Sequence, residues 1–221
     1  MGAPPVGEAG PRPPHRRLRL LGLDRSGPPP PETLADRPLR PLTIPNAIGY
    51  LRAALIPVFL VLAYANDSHG GVDPGAAVAF FLAGILDYAD GFAARVTGQY
   101  SRLGALMDPI IDRALVISGV LVCWSYELLP RWALAVLLGR ELAMLIVGQM
   151  WLRRGLELKI NWLGRIAVGP TMLGVFLGLV GLRALGEIWL YAGLSLALAA
   201  TVVYYRDGIA QLRARRASSS A

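Results

Sequence analysis

The chain has 221 residues, of which 54% are hydrophobic and only 17% charged, with a mean hydropathy of +0.47. A soluble domain carries roughly 25% charged residues, so this composition excludes a disordered chain and points to a membrane protein. The net charge is +7, and one cysteine (Cys123) with two histidines (His15, His69) excludes both a disulfide scaffold and a tetrahedral zinc site.

The first 45 residues hold 12 of the 17 prolines and seven arginines: Arg12, Arg16, Arg17, Arg19, Arg25, Arg37 and Arg40. Residues 1–30 are read as a disordered basic tail, either simply solvated or drawn to anionic lipid headgroups. No aromatic residue in this stretch could stack on a base, which argues against a nucleic-acid partner. Its apolar run, 18–23, is interrupted by Arg19 and too short for a signal peptide. Residues 31–43 are expected to form a short interfacial amphipathic helix.

From residue 44 the composition changes to six apolar stretches, near 44–64, 74–96, 106–126, 132–152, 166–182 and 188–205. Each approaches the ~20 residues that span a hydrocarbon core, where backbone groups must be satisfied within helices. The expected fold is therefore an all-α integral membrane domain of six transmembrane helices over 44–206, followed by a basic cytoplasmic tail over 207–221. Positive charge alternates between the connections. Arg95 and Arg102 follow the second stretch; Arg153, Arg154, Lys159 and Arg165 follow the fourth; Arg206, Arg213, Arg215 and Arg216 follow the sixth. The opposite connections offer only Arg131 and Arg183, so both termini are expected on the cytoplasmic side. Trp132, Trp151, Trp162, Trp189, Tyr204 and Tyr205 fall near the ends of stretches, as interfacial aromatics do.

Four acids lie in the second and third stretches: Asp87, Asp90, Asp108 and Asp112. A carboxylate at membrane depth costs a few kcal/mol unless it is paired or coordinated. The first two are three residues apart and the second two four apart, so each pair shares a helix face. At about 100° per residue, Asp87, Asp90, Gly91, Ala94 and Arg95 share one side of the second helix, and Gly104, Asp108 and Asp112 one side of the third. A turn near 97–101 would fold the two into an antiparallel hairpin with the carboxylates facing each other. Unrelieved, such a group repels itself and takes up protons. Oxygen-only donors suit Mg²⁺, Mn²⁺ or Ca²⁺, and two such ions about 4 Å apart can clamp a diphosphate. Gly91 and Gly104 leave room near the backbone, for a ligand or only for close helix packing. Arg95 is placed to take phosphate charge, or to anchor the helix end.

The spacing Asp87-x2-Asp90-Gly91-x2-Ala94-Arg95-x8-Gly104-x3-Asp108-x3-Asp112 resembles, without mismatch, the signature of the CDP-alcohol phosphotransferase family. The resemblance implies transfer of a phosphatidyl group from CDP-diacylglycerol to an alcohol with release of CMP. It also implies a six-helix enzyme, a homodimer, with its site open to the cytoplasm. By motif position, Asp87, Asp90, Asp108 and Asp112 would hold Mg²⁺ or Mn²⁺, two ions in all, and Asp112 would act as general base. Gly91, Ala94 and Gly104 would line the cytidine pocket, Arg95 would touch the diphosphate, and Asn46, in the segment Thr43-Ile44-Pro45-Asn46, would touch the nucleotide.

Arg113, Arg140, Lys159 and Arg165 are candidates for the acceptor pocket. Arg140 and Glu141 are charged within an apolar stretch, as an ion pair or as a site for an acidic acceptor. An acidic acceptor favours glycerol 3-phosphate; phosphatidylglycerol, giving cardiolipin, is the alternative, and an inositol phosphate a third. An ion or proton transporter would place its acids at mid-membrane in broken helices, and a prenyltransferase would need a second Asp-rich segment. Neither fits this pattern as well.

Overall fold

The computed structural model describes residues 38–65, 72–153 and 162–219. Six helices account for the regular structure among them: α1 (Ile44–Ala65), α2 (Pro74–Thr97), α3 (Arg102–Ser125), α4 (Arg131–Arg153), α5 (Trp162–Leu179) and α6 (Arg183–Ser219). Each coincides with one apolar stretch of the sequence. Three are long and apolar enough to cross a membrane: α1, α2 and the Arg183–Gln211 part of α6. Charged residues in their bodies set α3 (Asp108, Asp112, Arg113) and α4 (Arg140, Glu141) apart, while α5 has only 18 residues.

Local chemistry fixes the hairpin that carries the acids. Asp73 caps α2, its Oδ1 accepting from the Gly75 N–H at 2.6 Å, and Pro74 occupies the first turn, where its missing N–H costs nothing. α2 ends on Gly98, whose φ of 65° is the left-handed conformation a helix C-terminus favours and a glycine adopts without strain. Three residues later Ser101 caps α3 by accepting from the Gly104 N–H at 2.9 Å. The connection between the acid-bearing helices is therefore as short as the expected 97–101 turn.

Packing completes the bundle. α1 lies along both α2 and α3, α2 and α3 both meet α5, and α4 bridges α3 and α6. Phe59 and Phe80 pack their rings 5.3 Å apart between α1 and α2. Cys123 is fully buried in this apolar core. α5 and α6 approach backbone to backbone: a Cβ on Gly174 would stand 2.5 Å from the Leu190 nitrogen, and one on Gly193 2.5 Å from that of Thr171. Small residues gain packing contact between apolar helices by this close approach. Val58, Val61, Phe81, Ile110, Ile146 and Val202 instead point outward and are exposed, as a lipid-facing surface requires.

Two boundaries differ from expectation. Residues 38–43 are not helical, so the interfacial helix expected over 31–43 is absent from its described part. Pro38 and Pro41 remove backbone donors there and Arg40 has a φ of 43°. Residues 31–37 and the 1–30 tail lie outside the described residues. At the other end α6 continues to Ser219 instead of stopping at 206. The run after Asp207 is polar, yet its Ala, Gln, Leu and Arg residues are all good helix formers.

Candidate active site

The acids of α2 and α3 gather around a cation from a third helix. Arg52, in the third turn of α1, is 1% exposed. Its Nη1 lies 2.9 Å from Asp87 Oδ1 and 3.0 Å from Asp90 Oδ2, its Nη2 donates to Asp112 Oδ1 at 2.6 Å, and its Nε donates to the Ala83 carbonyl at 3.2 Å. Only a planar guanidinium fork can serve three carboxylates on two helices and a backbone oxygen at once. Asp108 acts electrostatically on Asp87, Asp90 and Asp112 and so belongs to the same cluster. The hairpin thus brings the four predicted acids together.

The cluster has a deep end and an open end. The Asp90 side chain is 10% exposed, whereas those of Asp87 and Asp112 are each 50% exposed. One buried guanidinium among four carboxylates leaves the site strongly acidic, and hard oxygen donors suit a divalent cation. Among the described residues no three such side chains are already spaced to grip a metal ion, since Arg52 takes the central place and draws one oxygen from each of Asp87, Asp90 and Asp112.

The residues expected at the nucleotide have structural engagements of their own. Asn46 is 3% exposed; its Nδ2 donates to the Arg40 and Pro41 carbonyls at 2.9 and 3.2 Å, and its Oδ1 accepts from the Ser101 hydroxyl at 2.8 Å. The Leu103 N–H also donates to the Leu39 carbonyl, and the Ile44 N–H to Gln99 Oε1. Together these bonds sew the segment before α1 onto the α2–α3 turn. Gly104 is what admits Asn46, because a Cβ there would stand 2.8 Å from Asn46 Oδ1. Gly91 lies under the Arg95 guanidinium, with a Cβ position 3.3 Å from Arg95 Nη1. Arg95 sits in the last turn of α2, where its charge complements the helix dipole, and Ala94 beside it is half-buried.

The acceptor candidates engage different partners. Arg113 turns back along α3, its Nη1 donating to the Pro109 carbonyl at 3.3 Å. Arg140 pairs with Glu141 and donates from Nε to Thr201 Oγ1 at 3.0 Å, joining α4 to α6. Both Arg140 and Glu141 line a small cavity with Val116, Gly164 and Thr171. Val116 is four residues beyond Asp112 on α3, about 6 Å along the helix. Lys159 and the side chain of Arg165 lie outside the described residues.

Arg52 is the residue the sequence reading missed. The signal was available: a lone arginine inside an apolar span carries the same desolvation cost as the acids and requires a partner of opposite charge.

Residues 42–204 match the CDP-alcohol phosphatidyltransferase family. The chain belongs to that family. The match spans all six apolar stretches and the whole Asp motif, so the resemblance read from 26 residues extends over most of the chain. Among curated relatives, the cardiolipin synthase (CMP-forming) of Streptomyces coelicolor is 37% identical over 135 residues, 60% of this chain and 63% of that protein. A putative cardiolipin synthase of Mycobacterium tuberculosis is 35% identical over 138 residues, 61% of this chain and 63% of that protein. The CDP-diacylglycerol–glycerol-3-phosphate 3-phosphatidyltransferase of Escherichia coli is 30% identical over 182 residues, 79% of this chain and 95% of that protein. The chain thus spans less than two thirds of the two cardiolipin synthase relatives.

Proposed function

We propose that this family member transfers a phosphatidyl group from CDP-diacylglycerol to an alcohol, with release of CMP, in phospholipid synthesis. The observation that carries the reading is the gathering of Asp87, Asp90 and Asp112 around one point, with Asp108 in the same electrostatic cluster, at the spacing of the family signature. Asp87, Asp90, Asp108 and Asp112 are the residues that would hold Mg²⁺ or Mn²⁺. When bound, such ions neutralise the diphosphate and make CMP a better leaving group.

The chain's own residues supply the rest. Arg95 at the end of α2 offers a guanidinium to the diphosphate. Gly91 and Ala94 keep that face of α2 low enough for the cytidine to approach. The half-exposed Asp112 accepts the proton of the acceptor hydroxyl. The hydroxyl oxygen bonds to the phosphorus that carries the diacylglycerol, and the bond from that phosphorus to CMP breaks. A lipid donor and a water-soluble leaving group place this exchange at the membrane boundary, which suits acids confined to the hairpin half of α2 and α3.

In this reading all six helices cross the membrane. Of the charges that lower the hydropathy of α3 and α4, Asp112 engages Arg52, and Arg140 engages Glu141 and Thr201. The arginine-rich connections put both termini and the site on the cytoplasmic side, and the protein works as a homodimer.

The acceptor is glycerol 3-phosphate, with Arg140 as the cation nearest the carboxylate face on α4. A second reading, phosphatidylglycerol as acceptor with cardiolipin as product, is favoured by the names of the relatives at 35% and 37% identity. The test is purified protein with CDP-diacylglycerol, Mg²⁺ or Mn²⁺, and each acceptor in turn. CMP release with glycerol 3-phosphate is the expected result; release with phosphatidylglycerol alone selects the second reading, and release with neither overturns both.

A further inference from the structure

Arg52 is nearly sealed from solvent, yet each acid it serves belongs to the face proposed to hold divalent ions. An arginine that merely fastened α1 to its neighbours would need one carboxylate. This one takes an oxygen from each of three, on two helices, and its Nε bond to the Ala83 carbonyl lays the fork along α2. Asp87 and Asp112 are half exposed although each touches the buried guanidinium. The same acids therefore meet a fixed cation inside the bundle and keep part of their surface uncovered.

We propose that Arg52 is a positioning residue: a built-in counter-cation that holds the carboxylate cluster together when no divalent ion is bound, and whose charge opposes ion binding. The inference rests on the metal-dependent reading given above. Removing the guanidinium leaves carboxylates from α2 and α3 facing one another with nothing between them, so the ion-free protein loses stability. The same loss makes the site more acidic, so a divalent ion binds more tightly and restores the cohesion that Arg52 supplied. A structural anchor would cost the same stability with or without the ion.

The experiment compares wild type, Arg52→Gln and Arg52→Lys in detergent, with thermal unfolding in EDTA and in Mn²⁺ and with direct titration of Mn²⁺. In EDTA, Arg52→Gln is expected to unfold roughly 10 °C below wild type. In saturating Mn²⁺ that gap closes by at least about half, and Mn²⁺ binds about tenfold more tightly than to wild type. Arg52→Lys keeps the charge but not the fork and falls between the two; it decides the matter alone if Arg52→Gln does not fold. An unfolding gap equal or larger in Mn²⁺, with no gain in affinity, overturns the counter-cation role while leaving the metal reading intact. A wild-type protein that takes up no Mn²⁺ overturns both.

Discussion

The Ser101 hydroxyl donates to Asn46 Oδ1 at 2.8 Å, across 55 positions of sequence, while the same oxygen that donates this hydrogen accepts one from the Gly104 N–H. One serine thus caps α3 and fastens α1 to it. The asparagine amide is fully engaged between that serine and two carbonyls of the preceding segment. A residue so placed holds the start of α1, and with it Arg52 two turns on, in register with the acids.

Asn46→Ala should therefore act first on stability. It leaves two carbonyls and the Ser101 hydroxyl without their buried partner, at about 1–3 kcal/mol, or a melting point lower by roughly 2–12 °C. Thermal unfolding in detergent checks this. A variant that melts like wild type while the KM for CDP-diacylglycerol rises would return Asn46 to the nucleotide site.

Gly104→Ala tests the same contact from the other side. Its Cβ would stand 2.8 Å from Asn46 Oδ1 and 3.2 Å from Ser101 Oγ, closer than a methyl group tolerates. The expected cost is about 1–3 kcal/mol. In an Asn46→Ala background most of that cost should vanish, because the obstructing oxygen is gone. A double-mutant cycle on unfolding free energies measures the difference. Simple additivity would mean that the glycine serves a ligand and not its neighbour.

The helices and the acid hairpin were legible in the sequence because both rest on local rules. Apolar stretches of membrane-spanning length become helices, and Asp pairs at spacings of three and four share a face. Asp73, Gly98 and Ser101 then fix the ends of α2 and the start of α3. What escaped depends on contacts between distant segments. Arg52 meets Asp90 across 38 positions and Asp112 across 60, and no periodicity within α1 announces either. Gly174 and Gly193 look like ordinary small residues until the two backbones are seen to touch. α6 outruns its apolar part because a polar sequence ends a membrane span without ending a helix. Residues 38–43 failed as a helix because two prolines outweighed the amphipathic pattern.

The α5–α6 contact makes a prediction independent of the chemistry. Gly174→Val places a side chain where the Leu190 nitrogen and the Gly186 carbonyl lie within 3 Å of the Cβ position. Both obstructing atoms are backbone, so the helices must separate. A loss of about 1–3 kcal/mol or more is expected. Gly169→Val, at a position with open space around its Cβ, serves as the control and should melt within a few degrees of wild type. Equal melting points for the two variants would argue against the close contact.

Arg140→Ala separates the acceptor from the donor. Its guanidinium bridges Glu141 and Thr201 beside the cavity that Val116, four residues beyond Asp112, also lines. If it also binds an acidic acceptor, its loss removes a charge-assisted bond worth about 1.5–3 kcal/mol. The KM for glycerol 3-phosphate should then rise by about tenfold or more while that for CDP-diacylglycerol changes little. Equal changes in both constants would mark Arg140 as a tie between α4 and α6 alone.

Asp90→Asn and Asp108→Asn put the two ends of the carboxylate cluster to the test. Asp90 is the buried acid, paired with Arg52 at 3.0 Å, and Asp108 joins the cluster from α3. Each amide keeps the shape of the side chain and removes the charge that a divalent ion needs. Asp90→Asn also weakens the ion pair with Arg52, so some loss of stability should accompany it, whereas Asp108→Asn should fold and insert as wild type does. Both variants are expected to lose turnover by at least about a hundredfold in CMP release. If Asp108→Asn retained wild-type turnover, the acids would be serving Arg52 and the fold, and the metal assignment would fall.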